Sequence, residues 1–257
     1  MKKSVTLLCA VLAWTCLFHS SFAANEKAQA YKTICNKAYK IVAPNKGKQL
    51  GLYSINAVLK KTSKKIEIVE SISLNYRGKK VEIKSTVIYQ NTSPLFPIQG
   101  IAETKINEKL CMKGTVKFSE MAVEFECTGF LNKRTDKAID PPKKFANKKQ
   151  PIPEGIIIFQ SALPVIGPLI LPKEGELKNI VFVEFPDDIG APELINFKKG
   201  YRLVRGKADK KGEYDLKIYN PHSKNSVSYV RFNKDDQIIS IPSYGKMKLV
   251  EIEEEKK

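Results

Sequence analysis

Histidine, tryptophan and arginine are all scarce in this 257-residue chain. It carries two histidines, one tryptophan and five arginines, namely Arg77, Arg134, Arg202, Arg205 and Arg231. His19 falls in an N-terminal leader described below, so a Ser-His-Asp or Cys-His machine would have a single base to draw on, His222. That residue sits in Asn220-Pro221-His222-Ser223, a turn-forming context that reads as an exposed turn. No CxxCH, CxxC, HExxH, glycine-rich phosphate loop or EF-hand pattern occurs. Motif-supported c-type haem, common zinc sites and nucleotide cradles are thereby removed, and no cofactor or metal is expected. Glycine and proline number 14 each, too few for a collagen-like or mucin-like chain. Long hydrophobic runs are missing too. Past the N-terminal leader the most apolar one, residues 156–171, is broken by Pro164 and Pro168 and bounded by Pro153 and Pro172, so it reads as buried chain crossing a core rather than a membrane span.

Carboxylate pairs are few. Asp187-Asp188 and Asp235-Asp236 read as turn residues, because neighbours in extended chain point in opposite directions. Ser243-Tyr244-Gly245-Lys246 has SxxK spacing but leads into a terminal strand, where that chemistry would want a helix. A non-enzymatic protein is expected, with a hydrolase built from carboxylates of separate strands left open.

What the chain does have begins with its leader. Lys2 and Lys3, an apolar stretch over residues 5–18, and small residues at Ser21 and Ala23 make a secretory signal peptide cleaved after Ala23. Cleavage lowers the net charge from +17 to +15, through loss of the two lysines, and leaves Cys35, Cys111 and Cys127. The mature protein is expected in the periplasm or outside the cell. In that oxidising space three cysteines allow at most one internal disulfide and leave one thiol over. A hydrophobic fraction of 42% with 12 Phe and 10 Tyr is enough for a core and excludes wholesale disorder. The positive charge is mostly lysine, whereas base and phosphate readout favours arginine forks, so no nucleic acid partner is expected. Anionic lipid head groups or acidic envelope polymers suit it better, and a diffuse solubilising surface explains it equally well.

Periodicity gives the organisation. Tyr31, Ile34, Cys35, Ala38 and Val42 recur at helical spacing, which predicts an amphipathic helix over residues 25–42 with Asn25 as N-cap. The pattern then switches to period two. A turn at Arg77-Gly78 predicts a hairpin in which Leu74 faces Val81, Ile72 faces Ile83, Ile68 faces Val87 and Ile66 faces Tyr89. A second hairpin sets Met112, Val116 and Phe118 against Val123, Phe125 and Cys127. Alternation places Cys111 out of phase with Cys127, so no bridge is expected within that hairpin, while Cys35 reaches Cys127 if the helix packs on that sheet. Six further alternating segments, beginning near residues 178, 194, 214, 227, 237 and 247, complete an antiparallel meander. Residues 132–154 read as a basic, proline-stiffened loop. The expected fold is mainly β: a curved antiparallel sheet, half-barrel or open barrel, with one N-terminal amphipathic helix and a short buried crossing. Two lobes of one continuous sheet are expected within a single domain.

This order of helix, antiparallel strands, proline-broken crossing and further strands resembles the half-barrels of the lipoprotein-localisation-factor type found in bacterial envelopes. The closing segment Tyr229-Val230-Arg231-Phe232-Asn233-Lys234-Asp235-Asp236-Gln237-Ile238-Ile239-Ser240-Ile241 is similar to the strand-turn-strand that ends their uncharacterised exported relatives, with Asp236 where those commonly carry glycine. The resemblance implies carriage of an apolar ligand, a lipid or acyl chain, and no catalytic residue. The expected ligand-facing residues are Ile157, Phe159, Leu163 and Ile166 of the crossing with Tyr31 and Ile34 of the helix. Lys143, Lys144, Lys148 and Lys149 are expected to meet anionic head groups. The alternative expectation is a structural or interaction protein docking on an envelope partner through its basic surface.

Overall fold

The computed structural model describes residues 31–43, 47–76, 78–131, 138–145, 150–171, 175–184, 196–221, 226–240 and 248–252. The signal peptide, Lys148, Lys149, Asp187, Asp188, His222 and the SxxK segment at Ser243 lie outside the described residues.

Seven long strands follow one another as an antiparallel meander: β1 (Tyr31–Val42), β2 (Gln49–Lys60), β3 (Lys65–Tyr76), β4 (Lys79–Gln90), β5 (Phe96–Ile106), β6 (Lys109–Phe118) and β7 (Ala122–Leu131). β8 (Ala138–Phe145) extends the sheet past β7, and the two-residue β9 (Gln150–Pro151) pairs with the start of β7. Together these strands form a curved half-barrel. The chain then enters a second sheet through β10 (Ile156–Phe159), a 3₁₀ turn (Gln160–Ala162) and the helix α1 (Leu163–Ile170). β11 (Glu176–Glu184), β12 (Asn196–Arg205), β13 (Tyr214–Tyr219), β14 (Ser226–Phe232) and β15 (Ile238–Ser240) complete it. β16 (Lys248–Glu251) returns to the first sheet beside β1.

The hairpins agree with the alternation. Leu74 pairs with Val81, Ile72 with Ile83, Ile68 with Val87 and Ile66 with Tyr89, and Gly78 supplies the positive φ of +77° that the tight turn needs. In the β6–β7 hairpin Val116 meets Phe125 and Phe118 meets Val123. The three cysteines are free thiols. Cys127 pairs with Gly114, while Cys111 is the extra residue of a bulge against β5, buried beside Ile106.

Three expectations are corrected. Residues 31–42 form a strand, not a helix, laddered to β2 along its length and to β16 at its end. A bulge between Thr33 and Cys35 shifts the phase, so that Cys35, Tyr39 and Ile41 face inward while Ile34 is half-buried beside them. Second, the stretch read as a loop over residues 132–154 contains β8 and β9. Prolines 141 and 142 are tolerated because β8 is an edge strand with no ladder partner on its outer side among the described residues. Third, the strands belong to two sheets rather than one, and β10 runs parallel to β11, with Ile156 against Ile180 and Phe159 against Val183.

One hydrophobic cluster runs through both sheets. The crossing plugs the concave side of the half-barrel: Ile158, Phe159, Ala162 and Leu163 are fully buried. Phe159 packs edge-to-face on Tyr89 and Phe118, with ring centroids 6.4 and 5.8 Å away. Its backbone N–H donates to the Tyr89 hydroxyl at 2.9 Å, which satisfies a phenol that would otherwise be costly to bury. On the other side of the helix, Gly167 lets the backbone approach Leu216 of β13, where a Cβ would lie 2.8 Å from the leucine side chain.

Candidate functional site

A cleft of about 860 Å³ opens where the first half of β1, the loop between β4 and β5, one face of α1 and the turn between β14 and β15 converge. That volume lies in the range of about 300–1,000 Å³ usual for small-molecule sites. Its floor is apolar: Ile34, Leu59, Ile66, Leu95, Val165 and Ile238, with Pro164, Pro168 and Leu169 from the helix. Its rim is polar and includes Lys32, Asn36, Lys37, Thr92, Asp235 and Gln237.

Each wall has a local cause. The β1 bulge brings Ile34 and Cys35 to the cleft together, which strict alternation would forbid. α1 has the sequence Leu-Pro-Val-Ile-Gly-Pro-Leu-Ile, without a polar residue. It buries Leu163, Val165, Ile166 and Gly167 yet leaves Leu169 half exposed at 50%. Pro164 sits in the first turn, where a missing N–H costs nothing, and Pro168 removes the donor that the Pro164 carbonyl would meet four residues on. The β14–β15 turn is held by Asn233, whose Oδ1 accepts from the N–H groups of Asp235 and Gln237 at 2.9 Å each. Asp236 there adopts φ +59°, in the left-handed region.

The polar groups differ in how far they are committed. The Asp236 carboxylate accepts from the Tyr214 hydroxyl at 2.6 Å and from Arg205 at 2.8 Å, and the Arg205 guanidinium lies 3.6 Å above the Tyr214 ring. Lys37 is ion-paired with Glu251. Burial pushes the Cys35 thiol up to about 11, with Lys37 pulling the other way, so the sulfur stays protonated and a poor nucleophile at neutral pH. Behind it the buried Tyr39 hydroxyl finds no hydrogen-bond partner among the described residues, and burial followed by the Glu251 charge raises its pKa. Lys32 and Asp235 are exposed and carry no ion pair among the described residues. With its thiol protonated and two of its charged groups tied into ion pairs, the cleft offers shape, apolar surface and two available charges. That is the equipment of a binding site.

The sequence-predicted site residues are distributed unevenly around it. Ile34 lines the cleft, on a strand instead of a helix. Tyr31 is half exposed at the start of β1, next to the rim residue Lys32 but not in the lining. Ile157, Phe159, Leu163 and Ile166 lie in the shared core, where they shape the site by holding β10 and α1 in place. Lys143 and Lys144 are exposed on β8, at the opposite end of the first sheet from β1. Sequence reasoning missed Val165, Pro168 and Leu169, although the prolines four residues apart marked this face of the helix. It also missed Leu59, Ile66, Leu95 and Ile238, for which only the fold supplies proximity.

A second hollow, of about 350 Å³, lies on the outer face of the half-barrel among Ser54, Ser71 and Ser73 and the cross-strand pairs Glu82–Lys105 and Lys84–Glu103. Inside the half-barrel Glu70 is buried at 8% exposure, accepting from the Ser85 and Tyr53 hydroxyls, and burial pushes its carboxyl up to about 7. No group of acidic, cysteine or histidine residues among the described ones is arranged to hold a metal ion. No helix among them is long and apolar enough to cross a membrane. No protein-family model, curated protein or solved structure matches the chain.

Proposed function

We propose that this is a non-enzymatic, exported cell-envelope protein that binds an apolar ligand, a lipid or acyl chain, in the cleft between β1, α1 and the β14–β15 turn. The observation that carries the reading is the unpaired apolar face of α1. Leu169, beside Pro168 and above Val165, stays half exposed at the mouth of an 860 Å³ cleft whose floor is otherwise hydrocarbon. An apolar surface of this kind, concave and rimmed by polar groups, is how ligand grooves differ from scattered surface leucines. The ligand would lie beside the plugged half-barrel and not inside it, because Phe159 and Leu163 already fill the concave side. Export rests on the leader pattern of residues 1–23.

Native mass spectrometry of the mature protein purified from its own envelope, followed by organic extraction, tests the reading. A stoichiometric apolar adduct is expected, and Leu169→Asp should remove it while leaving the fold intact, since that side chain is half exposed. A clean apo mass with no exchangeable lipid would overturn it. That outcome would favour the second reading, an interaction protein docking on an envelope partner, which the filled interior of the half-barrel already supports.

A further inference from the structure

The whole chain is strongly basic, with a net charge of +17, which by itself would favour an anionic ligand. The cleft rim has a different balance. Its described charged side chains are Lys32, Lys37, Asp235 and Asp236, two of each sign. Lys37 is neutralised by Glu251, and Asp236 is engaged by Arg205 and Tyr214. Among the described residues one available cation and one available anion remain, Lys32 on β1 and Asp235 on the β14–β15 turn, on separate elements of the same mouth. A purely anionic amphiphile seated on the apolar floor would satisfy Lys32 and leave Asp235 unmatched, and a purely cationic one would do the reverse. A head group carrying both charges meets each with its opposite.

The kind of cation is constrained as well. Quaternary ammonium groups are recognised by aromatic faces, and none of the described lining residues is aromatic. The rim also carries amide and hydroxyl side chains, those of Gln237, Asn36 and Thr92, whose oxygens can accept hydrogen bonds from a primary ammonium and offer nothing specific to a methylated one. We infer that the cleft takes a zwitterionic amphiphile of the phosphoethanolamine type, its phosphate towards Lys32, its primary ammonium towards Asp235 and its acyl chain against α1. The inference rests on the ligand-binding reading above.

The test titrates the mature full-length protein with lysophosphatidylethanolamine, lysophosphatidylcholine and lysophosphatidylglycerol of one common acyl chain, below their micelle concentrations, by isothermal titration calorimetry. The ethanolamine lipid is expected to bind about threefold to fivefold more tightly than either of the others, the size of one exposed ion pair. Asp235→Asn should erase that preference, and Asp235→Lys should turn it towards the glycerol lipid by about tenfold. Both substitutions are at an exposed turn position, and an unchanged far-UV circular dichroism spectrum verifies the fold. Equal or tighter binding of the glycerol lipid by the wild type, lost in Leu169→Asp, would overturn the head-group inference and leave ligand binding standing. An ethanolamine preference unaffected by either Asp235 substitution would overturn it too. Failure of all three lipids to bind would overturn both.

Discussion

Replacing Glu70 by glutamine should make the protein more stable at neutral pH and change little in acid. Glu70 lies on the inner face of β3, opposite Ser85 of β4 and Ile55 of β2, with Ile68, Ile72 and Val87 buried around it. Two hydroxyls donate to it, from Tyr53 and, at 3.4 Å, from Ser85, and no cation is among its determinants. Desolvation therefore dominates and lifts the carboxyl from its ordinary 4.5 to about 7. An acid raised in the folded state binds a proton there that the unfolded chain has already released. Stability thus falls as pH rises from about 4.5 to about 7, and the loss is complete above it. The gap corresponds to about 3 kcal/mol, at about 1.4 kcal/mol for each pH unit crossed. Glutamine keeps an acceptor for the hydroxyls and has no charge to desolvate. Urea denaturation of both proteins at pH 4, 5, 6, 7 and 8, followed by circular dichroism, should give nearly equal stabilities at pH 4 and an advantage for Glu70→Gln of about 3 kcal/mol at pH 8, with m-values unchanged. A stability difference that stays constant from pH 5 to pH 8, or a wild type that gains on the variant as pH rises, would refute the reasoning.

Two other residues give independent checks. Gly167→Ala should destabilise in spite of alanine's better helix propensity, because the new methyl would sit 2.8 Å from the Leu216 side chain. Overpacking of this kind costs about 1–3 kcal/mol against a propensity gain of about 1 kcal/mol. A rise in melting temperature would show that α1 does not pack on β13 as described. Cys35, although part of the cleft lining, should react with iodoacetamide at pH 8 at least about a hundredfold more slowly than a free cysteine, as its raised pKa leaves little thiolate. Labelling resolved by peptide mass spectrometry separates it from Cys111 and Cys127, and a free-cysteine rate at Cys35 would contradict the burial.

The strands whose two faces differ in polarity were legible in the sequence. The β3–β4 and β6–β7 registers follow from alternation alone, since a one-residue slip would turn every isoleucine of β3 to the outside. β1 was not legible, for two physical reasons. Its bulge inserts Ile34 out of phase, and Lys37 takes an inward, half-buried position by pairing with Glu251. The alternation of Cys35, Tyr39 and Ile41 is thereby interrupted by a residue that counts as polar, and the remaining apolar positions fall at helical intervals. The ladder to β2 overrides that local pattern, as tertiary pairing commonly does for short segments. β8 was hidden by its two prolines, which signal a loop unless the strand is known to be an edge. The parallel pairing of β10 with β11 is a non-local fact, carried by continuous apolar runs that alternation cannot assign to a partner.

The candidate site was the least legible part, and the charge pattern shows why. Along the half-barrel the outward positions carry partnered lysines and glutamates: Lys113 lies 2.7 Å from Glu103 across β5 and β6, and Lys80 2.8 Å from Glu82 along β4. Such exposed pairs stabilise little and are screened within about 8 Å at physiological salt. The excess of lysine over acid is therefore a property of the outer surface and says little about a concave site. At the cleft the balance is set by the bulge that starts β1 and by the tight turn that ends β14, elements some 200 residues apart in the chain. The lysines expected to meet anionic head groups come from one basic stretch of sequence, and the two that are described, Lys143 and Lys144, lie at the edge of the sheet far from β1. A ligand held in the cleft, as proposed, would be selected by the hydrocarbon floor first, because burial of apolar surface is the large favourable contribution that the described lining offers. The two available charges among the described rim residues would then decide between ligands that satisfy the floor equally well.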